Sequence, residues 1–301
     1  MASRSITIIE ILKAIFKRKY IVLSITILGF IGSIFYSLSI QNTYRSTSVL
    51  VPIETDSNML QSSNFSSLAG IAGINFNNPT SNVDEAIASI QSKDFFKNYF
   101  YGEIFLPNLI GYKKWELEQG FMIYDSEIYD VENKLWVRKV SFPKKIMPSA
   151  QEAHEAFLDH LEISKDNKTG FVNISITHIS PQIAHDWVTK IIHSINEDFR
   201  AKEKALVQES LSFLNNKYNQ TSFTEVKESI ASLIEEQTKK LMLAEVNTDY
   251  VFSILESPVI PEKKYAPSRM SLVVSFSIFS FFIGIVVAIF SHFSLPGLRR
   301  N

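Results

Sequence analysis

The sequence predicts an α/β membrane protein, with two transmembrane helices flanking one large outer domain that carries a long helical hairpin. Three observations predict it. From Tyr20 to Tyr44 there is no Asp, Glu, Lys or Arg, and Ile21–Ile40 is almost wholly apolar. From Met270 to Leu298 charge is again absent, with Met270–Phe293 the apolar part. Between the two runs, strand-like alternation gives way to a very long helical pattern. A helix crossing a hydrocarbon core of ~30 Å needs about 20 apolar residues, so both runs suffice. A core helix of that length would ordinarily keep a charged face.

Composition narrows the class further. Thirty Lys and Arg against 31 Asp and Glu leave a formal net charge of -1, without the basic stripe of a nucleic-acid reader. Charged residues make up 20 %, below the ~25 % of ordinary soluble domains. Ten Gly and ten Pro in 301 residues disfavour a turn-rich all-β protein, a disordered chain and a collagen-like repeat. The absence of cysteine removes disulfides, thiolate catalysis and Cys-ligated metal sites, and fits an oxidising compartment.

The first apolar run has a signal peptide as its alternative reading. Lys17-Arg18-Lys19 would be the basic region and Ser37-Leu38-Ser39 a weak cleavage site. The run exceeds the ~7–15 residues of a signal core and starts late, so an uncleaved anchor is expected. Arg4, Lys13, Lys17, Arg18 and Lys19 against Glu10 alone place the N-terminus in the cytoplasm. The second run is locally ambiguous, with Lys263, Lys264 and Arg269 before it and Arg299 and Arg300 after. Two spans then return the chain to the cytoplasm and leave the middle outside. The expected organisation is a tail over 1–19, a helix over 20–41, an outer domain over 42–269, a helix over 270–293 and a tail over 294–301. Neither tail can hold a catalytic domain, since independent folding becomes difficult below ~40 residues. A two-span sensor kinase or chemoreceptor is therefore not expected.

Within the outer domain, Tyr44–Pro52 (YRSTSVLVP) is short and β-branched and reads as a strand. Leu60–Pro79, with Leu68-Ala69-Gly70-Ile71-Ala72-Gly73-Ile74 inside it, reads as a mobile Ser-, Asn- and Gly-rich loop. Asn82 is placed to cap a helix carrying Val83, Ala86, Ile87 and Ile90, and Ser92 the next, with Phe95, Phe96 and Tyr99. Ser149-x-x-Glu152 has capping-box spacing before Ala153, Ala156, Phe157 and Leu161. Phe171–His178 alternates, with Val172, Ile174 and Ile176 on one face. Ser180-Pro181 then opens a helix in the favoured N-cap and N1 positions. Trp187, Val188, Ile191, Ile192, Ile195 and Phe199 follow at helical spacing.

The helical arm extends over about 181–247. From Pro181 to about Glu245 unbroken it would span ~98 Å at 1.5 Å per residue, so a break near Gln220–Ser222 and an αα-hairpin are expected. Ser222 to Glu225 is the cap signal for the second arm, and Tyr250–Leu255 reads as a closing strand. The arms are unequal, so one must bend or contribute to the base.

Catalytic constellations fail on spacing. His154-Glu155 begins like a zinc-protease helix motif, but position 158 is Leu. His178, His185 and His193 have no converging carboxylates in their pattern and read as solvated or structural. Gly70-Ile71-Ala72-Gly73 lacks the Gly-Lys-Ser/Thr of a phosphate loop, and no Gly-x-Ser-x-Gly elbow occurs. Asp125, Glu127 and Asp130 sit on a polar Tyr-rich stretch and read as a solvated loop. No catalytic, cofactor-binding or metal-binding residue is assigned.

The residues carry a resemblance to a known family. YRSTSVLVP after the first span, the LAGIAG loop, Ile123–Arg138 (IYDSEIYDVENKLWVR), Ile174–Arg200 and the Pro-rich Glu256–Arg269 before the second span run in the same order as in the polysaccharide co-polymerases. The chain resembles their Wzz-type O-antigen chain-length determinants. The resemblance implies a bacterial inner-membrane protein whose outer domain is periplasmic, with an α/β membrane-proximal base and long protruding helices. It implies a ring- or bell-shaped homo-oligomer working with an O-antigen polymerase in the membrane, no cofactor and no reaction of its own. The growing lipid-linked polysaccharide is a further candidate partner. Capsule and enterobacterial common antigen remain alternative glycans. A periplasmic adaptor of an export machine is an alternative of another class, though such adaptors show sustained heptads and end outside the membrane. A periplasmic glycan hydrolase anchored at both ends would need a paired-carboxylate motif, and none is visible.

Two sets of residues are singled out in that frame. Pro258, Pro261 and Pro267 disfavour helix before the second span and serve either as a plain linker or to set the angle between base and span. Gly29 and Ser33 in the first span, and Ser280, Gly284 and Ala288 in the second, recur every four residues. Small residues at that spacing let helices approach closely in lipid, either the two spans together or one span and a polymerase.

Overall fold

The computed structural model describes residues 16–53, 82–116 and 119–294. The LAGIAG loop and most of both tails lie outside them. The chain divides into two units, Met1–Thr43 with Lys264–Asn301, and Tyr44–Lys263.

In the first unit, helix α1 (Lys19–Ser39) packs against the last helix, α8 (Arg269–Ser294). Their large side chains point away from protein: Leu28 is 77 % exposed, Phe35 72 % and Phe279 64 %. Soluble core helices would bury such residues, whereas lipid-facing ones need not. The ends are tied by backbone: Thr43 N–H donates to the Ala266 carbonyl and Tyr265 N–H to the Thr43 carbonyl, both at 2.8 Å. The Pro-rich segment between Glu256 and Arg269 contains no helix, in keeping with the fixed φ of its prolines.

The second unit follows the chain order β1 (Tyr44–Pro52), α2 (Asn82–Ile90), α3 (Lys93–Tyr99), α4 (Phe105–Ile110), β2 (Tyr112–Glu116), β3 (Phe121–Tyr124), β4 (Tyr129–Asp130), β5 (Leu135–Trp136), α5 (Ala150–His160), β6 (Leu161–Lys165), β7 (Val172–His178), α6 (Pro181–Gln220), α7 (Thr224–Val246) and β8 (Phe252–Glu256). The main sheet is antiparallel in the order β6-β7-β1-β8. Thus β1 and β8, which follow and precede the apolar helices in sequence, are neighbours. Two small hairpins, β2-β3 and β4-β5, stand apart from it.

One sheet face is covered and the other is wet, as antiparallel sheets allow. The register pairs Leu50 with Val172, Ser48 with Ile174 and Ser46 with Ile176 on the covered face. All six are buried. The two hydroxyls are satisfied there: Ser46 donates to the Val259 carbonyl at 2.8 Å and Ser48 to the Glu256 carbonyl at 2.7 Å. On the other face Thr47 meets the Ser175 hydroxyl at 2.9 Å, and Arg45 pairs with Glu162.

The core lies between the covered face and α6. Ser180 caps α6 by accepting from the Ile183 N–H, with Pro181 behind it. Trp187, Val188, Ile191, Ile192 and Ile195 then face the sheet, each 5 % exposed or less. The short helices bring the aromatics. Ser92 caps α3 by accepting from the Phe95 N–H, and Phe96, Phe100, Phe105 and Phe157 join Trp187 in one cluster. The Phe105 and Trp187 rings stack at 4.2 Å.

The unequal arms resolve without a bend in the outer part. Helix α6 has 40 residues against 23 in α7, and the surplus is the first half of α6, which is the core helix of the sheet. Beyond it, α6 and α7 pack as a hairpin, with Val207 and Ala244 buried between them.

Three local expectations need correction. Ser222 does not cap α7; Phe223 occupies that position without a side-chain bond. The capping box at Ser149 is half formed. Ser149 accepts from the Glu152 N–H, but the Glu152 carboxylate is taken by Arg138 at 2.7 and 2.6 Å, a charge-assisted fork stronger than the return bond of the box. Leu161 is not helical. It starts β6, where it pairs with Ile176, because the LEISK alternation completes the sheet.

One buried amide ties α6 to β8. Asn196 is 4 % exposed, and its Oδ1 accepts from the N–H groups of Tyr250, Val251 and Phe252 at 3.1, 2.8 and 3.0 Å. Its Nδ2 donates to the Phe252 carbonyl at 2.9 Å. Replacing it with Ala strands several buried backbone groups, each worth about 1–3 kcal/mol when unsatisfied. Asn196→Ala is expected to destabilise the protein by about 3 kcal/mol or more, read as a lower denaturation midpoint of the purified chain by circular dichroism. An unchanged midpoint would show that β8 is held by other contacts.

Candidate functional site

Of the residues singled out on the apolar helices, Gly29 and Ser280 meet each other, while Gly284 packs on Val22. Gly29 faces Ser280, and a Cβ added at Gly29 would lie 1.9 Å from the Ser280 Oγ and 2.4 Å from its Cβ. A Cβ at Gly284 would lie 3.1 Å from the Val22 Cα and 3.2 Å from its carbonyl oxygen. Ser33 and Ala288 are buried. These faces meet within one chain, so close approach of α1 and α8 is what the small residues allow. Pro258, Pro261 and Pro267 are all half-buried, and Pro258 and Pro261 flank Val259, whose carbonyl accepts from Ser46.

The histidines do not converge on a reaction centre. His185 and His193 pair with Asp186 and Glu197 of their own helix at 2.8 and 3.3 Å. His154 is buried, its Nε2 2.9 Å from the Gln91 carbonyl. His178 is a buried keystone between β7 and α6. Its Nδ1 accepts from the Ser180 N–H at 3.0 Å, so Nε2 carries the proton and donates to the Asn108 carbonyl at 3.0 Å. His160, which sequence reading did not single out, donates from Nδ1 to the Thr177 carbonyl at 2.7 Å. Its ring lies 5.4 Å from that of His178, with Tyr112 and Trp187 beside them. Burial, with the neighbouring His160, pushes His178 down to about 3, and burial also lowers His160. Among the described residues, no group of three or more His, Cys, Asp or Glu could hold a metal ion.

A different feature escaped sequence reading. Helix α4 and the two hairpins enclose an open cleft of about 650 Å³. Its aromatic wall is Tyr129, 8 % exposed, flanked by Tyr124 at 6.0 Å and Trp136 at 5.1 Å between ring centres. Tyr124 donates to the Asn108 Oδ1 at 2.7 Å, and the Asn108 Nδ2 donates to the Ile104 carbonyl at 3.1 Å. Glu103 and Lys134 also line it. Asp125 and Asp130, expected to be solvated, build turns here. Asp125 accepts from the Glu127 N–H, and Asp130 from those of Glu132 and Asn133. The Asn133 side-chain amide, which donates to Asp130 Oδ2 at 2.9 Å, together with those N–H groups holds the Asp130 carboxyl below its ordinary range. Arg138 fastens the loop on the far side, donating to the Ile146 and Lys145 carbonyls at 2.7 and 2.8 Å besides its fork to Glu152. The one signal in the sequence was the aromatic density of IYDSEIYDVENKLW.

Residues 4–102 match the family model described as Wzz, chain length determinant protein. Over this stretch the chain is similar to the Wzz chain length determinants. The matched third contains α1, β1 and the start of the core. Among solved structures, a full-length bacterial polysaccharide co-polymerase aligns over 98 % of this chain and 100 % of its own, at 13 % identity and a TM-score of 0.41. A fragment of WzzB, the polysaccharide co-polymerase of Salmonella Typhimurium, aligns over 75 % of this chain and 100 % of its own, at 13 % identity and a TM-score of 0.30. No curated protein matches. The family resemblance read from the sequence is therefore met by an independent match, and two candidate membrane helices around an α/β unit fit a two-span inner-membrane protein.

Two predictions follow from this geometry. Gly29→Ala is expected to force α1 and α8 apart, at about 1–3 kcal/mol for an overpacked contact, and Ser280→Gly in the same chain should restore stability. Resistance of the purified protein to denaturing detergent measures both; a Gly29→Ala chain of undiminished stability contradicts the packing. The second concerns acid. His178 and His160 bind protons less readily folded than unfolded, so their contribution is complete above the ordinary histidine range and is lost as pH falls below it, for His178 down to about 3. His178 contributes a slope of up to about 1.4 kcal/mol per pH unit between about 6.5 and about 3. Glu152, held low first by hydrogen bonds from Arg138, adds a loss as pH falls below the ordinary carboxylate range. Urea midpoints should fall between about pH 7 and about pH 5, and His178→Gln should flatten that fall.

Proposed function

We propose that this protein regulates polysaccharide chain length, setting the modal length of O-antigen made by a membrane polymerase. The match of residues 4–102 to the chain length determinant model carries this reading. The two apolar helices and the α/β unit between them support it, since a regulator of a membrane polymerase must reside in the same membrane. Both termini lie in the cytoplasm and the α/β unit in the periplasm, on the strength of the Lys17-Arg18-Lys19 flank.

The protein acts as a homo-oligomer and catalyses no reaction of its own. Because the small-residue faces of α1 and α8 meet each other, their outward faces, carrying Phe35 and Phe279, are the surfaces left for the polymerase. The growing lipid-linked polysaccharide is the second partner.

Deleting the gene should replace a preferred band of surface polysaccharide with a broad, mostly short distribution, and the plasmid-borne gene should restore the band. Gel analysis of lipopolysaccharide, capsule and common antigen from the same cells reads which glycan responds. An unchanged distribution in all three rejects the proposal. A change in capsule or common antigen alone reassigns the substrate. Reporter fusions should find both termini cytoplasmic and residue 150 periplasmic.

A further inference from the structure

We propose that the cleft between α4 and the β4-β5 hairpin binds a short oligosaccharide segment of the polysaccharide. The proposal rests on the chain-length reading and adds a site to it.

The chemistry of the walls points to a sugar. A pyranose ring has an apolar C–H face and a rim of hydroxyls. Tyr124 and Trp136, both half-buried, line the cleft beside the buried Tyr129, their rings tilted by 59° and 57° to it, and an accessible electron-rich ring face there attracts the weakly positive C–H groups. Glu103 can accept from hydroxyls and Lys134 can donate to them. Both are exposed, and neither forms an ion pair among the described residues. One charge of each sign gives no preference for an acidic or a basic peptide. The volume of about 650 Å³ falls within the ~300–1,000 Å³ of small-ligand sites, and the cleft is open to solvent.

The site is also held in shape before anything binds. Lys134 has a φ of 53°, a left-handed conformation that is unfavourable for a residue with a Cβ. The Asp130 turn maintains it, placing a lysine at the rim where a glycine would be less strained. On the opposite side the Arg138 clamp fixes the backbone at Lys145 and Ile146. A rigid site loses less conformational freedom on binding, which favours weak polymeric ligands.

The test uses the purified full chain in detergent. It is titrated with oligosaccharides of one to three repeat units, prepared from the host's own surface polysaccharide. Saturation-transfer NMR and tryptophan fluorescence read binding. Saturable binding is expected, weakened about tenfold or more (about 1.4 kcal/mol) by Lys134→Gly combined with Glu103→Gln. Lys134→Gly suits the left-handed backbone and both sites are exposed, so folding should survive; Trp136→Phe keeps the wall aromatic and should retain binding. Binding that ignores the double substitution overturns the site. Absence of binding by a chain that restores the modal length in the deletion strain overturns the inference and leaves the regulator reading standing. A deletion strain with unchanged glycans overturns both. A photo-crosslinker at Ile104 that captures protein, uncompeted by oligosaccharide, marks a protein interface and also overturns the proposal.

Discussion

The Asn196 amide is the contact on which the second unit depends. It stands near the end of the apolar stripe of α6, where a buried polar group is tolerated only if its hydrogen bonds are met. Here they are met by three successive backbone N–H groups and a carbonyl of the returning chain. The contact fixes where α7 must end and where β8 must start. It therefore also sets which residues of β8 meet β1, and so the edge of the sheet. A hydrophobic residue at that position would pack against the same strand with no preference for register.

Around that staple, α6 does two jobs along one axis. Its first half is a core helix, with Trp187 and Ile191 against the sheet and the phenylalanine cluster. Its second half is one arm of a hairpin, with exposed Leu206 and Phe213 and surface pairs such as Lys202–Asp198. The change from apolar stripe to solvated helix falls just after Asn196 and Phe199. Stability thus concentrates in the base, and the arm is held by fewer buried contacts. Local opening is expected to be easiest where such contacts are sparse.

The aromatic cleft belongs to the base, yet it is assembled from segments with little regular structure. Its walls depend on Asp130 and Arg138, polar residues that bind backbone and so replace the longer strands a sheet would use. This places a shaped surface on small hairpins beside a rigid core, an arrangement in which loops carry recognition and the scaffold holds them.

Several features were determined by sequence alone. The two charge-free apolar runs, the alternation of Val172, Ile174 and Ile176, the Ser92 and Ser180 caps and the break near Gln220 all rest on nearest-neighbour chemistry or on a period of two or 3.6. Pairings between distant segments were decided only by tertiary structure. Whether Glu152 closes its own capping box depends on Arg138, which arrives from another segment. That Leu161 is a strand residue depends on a free sheet edge beside β7. His178 and His160 look like any surface histidines in sequence, and become a buried pair because Asn108 and Thr177 present carbonyls to them. Likewise Gly29 and Ser280 carry the same small-residue signal whatever they pack against; only the fold brings one to the other, since spacing along a helix specifies a face but not its partner.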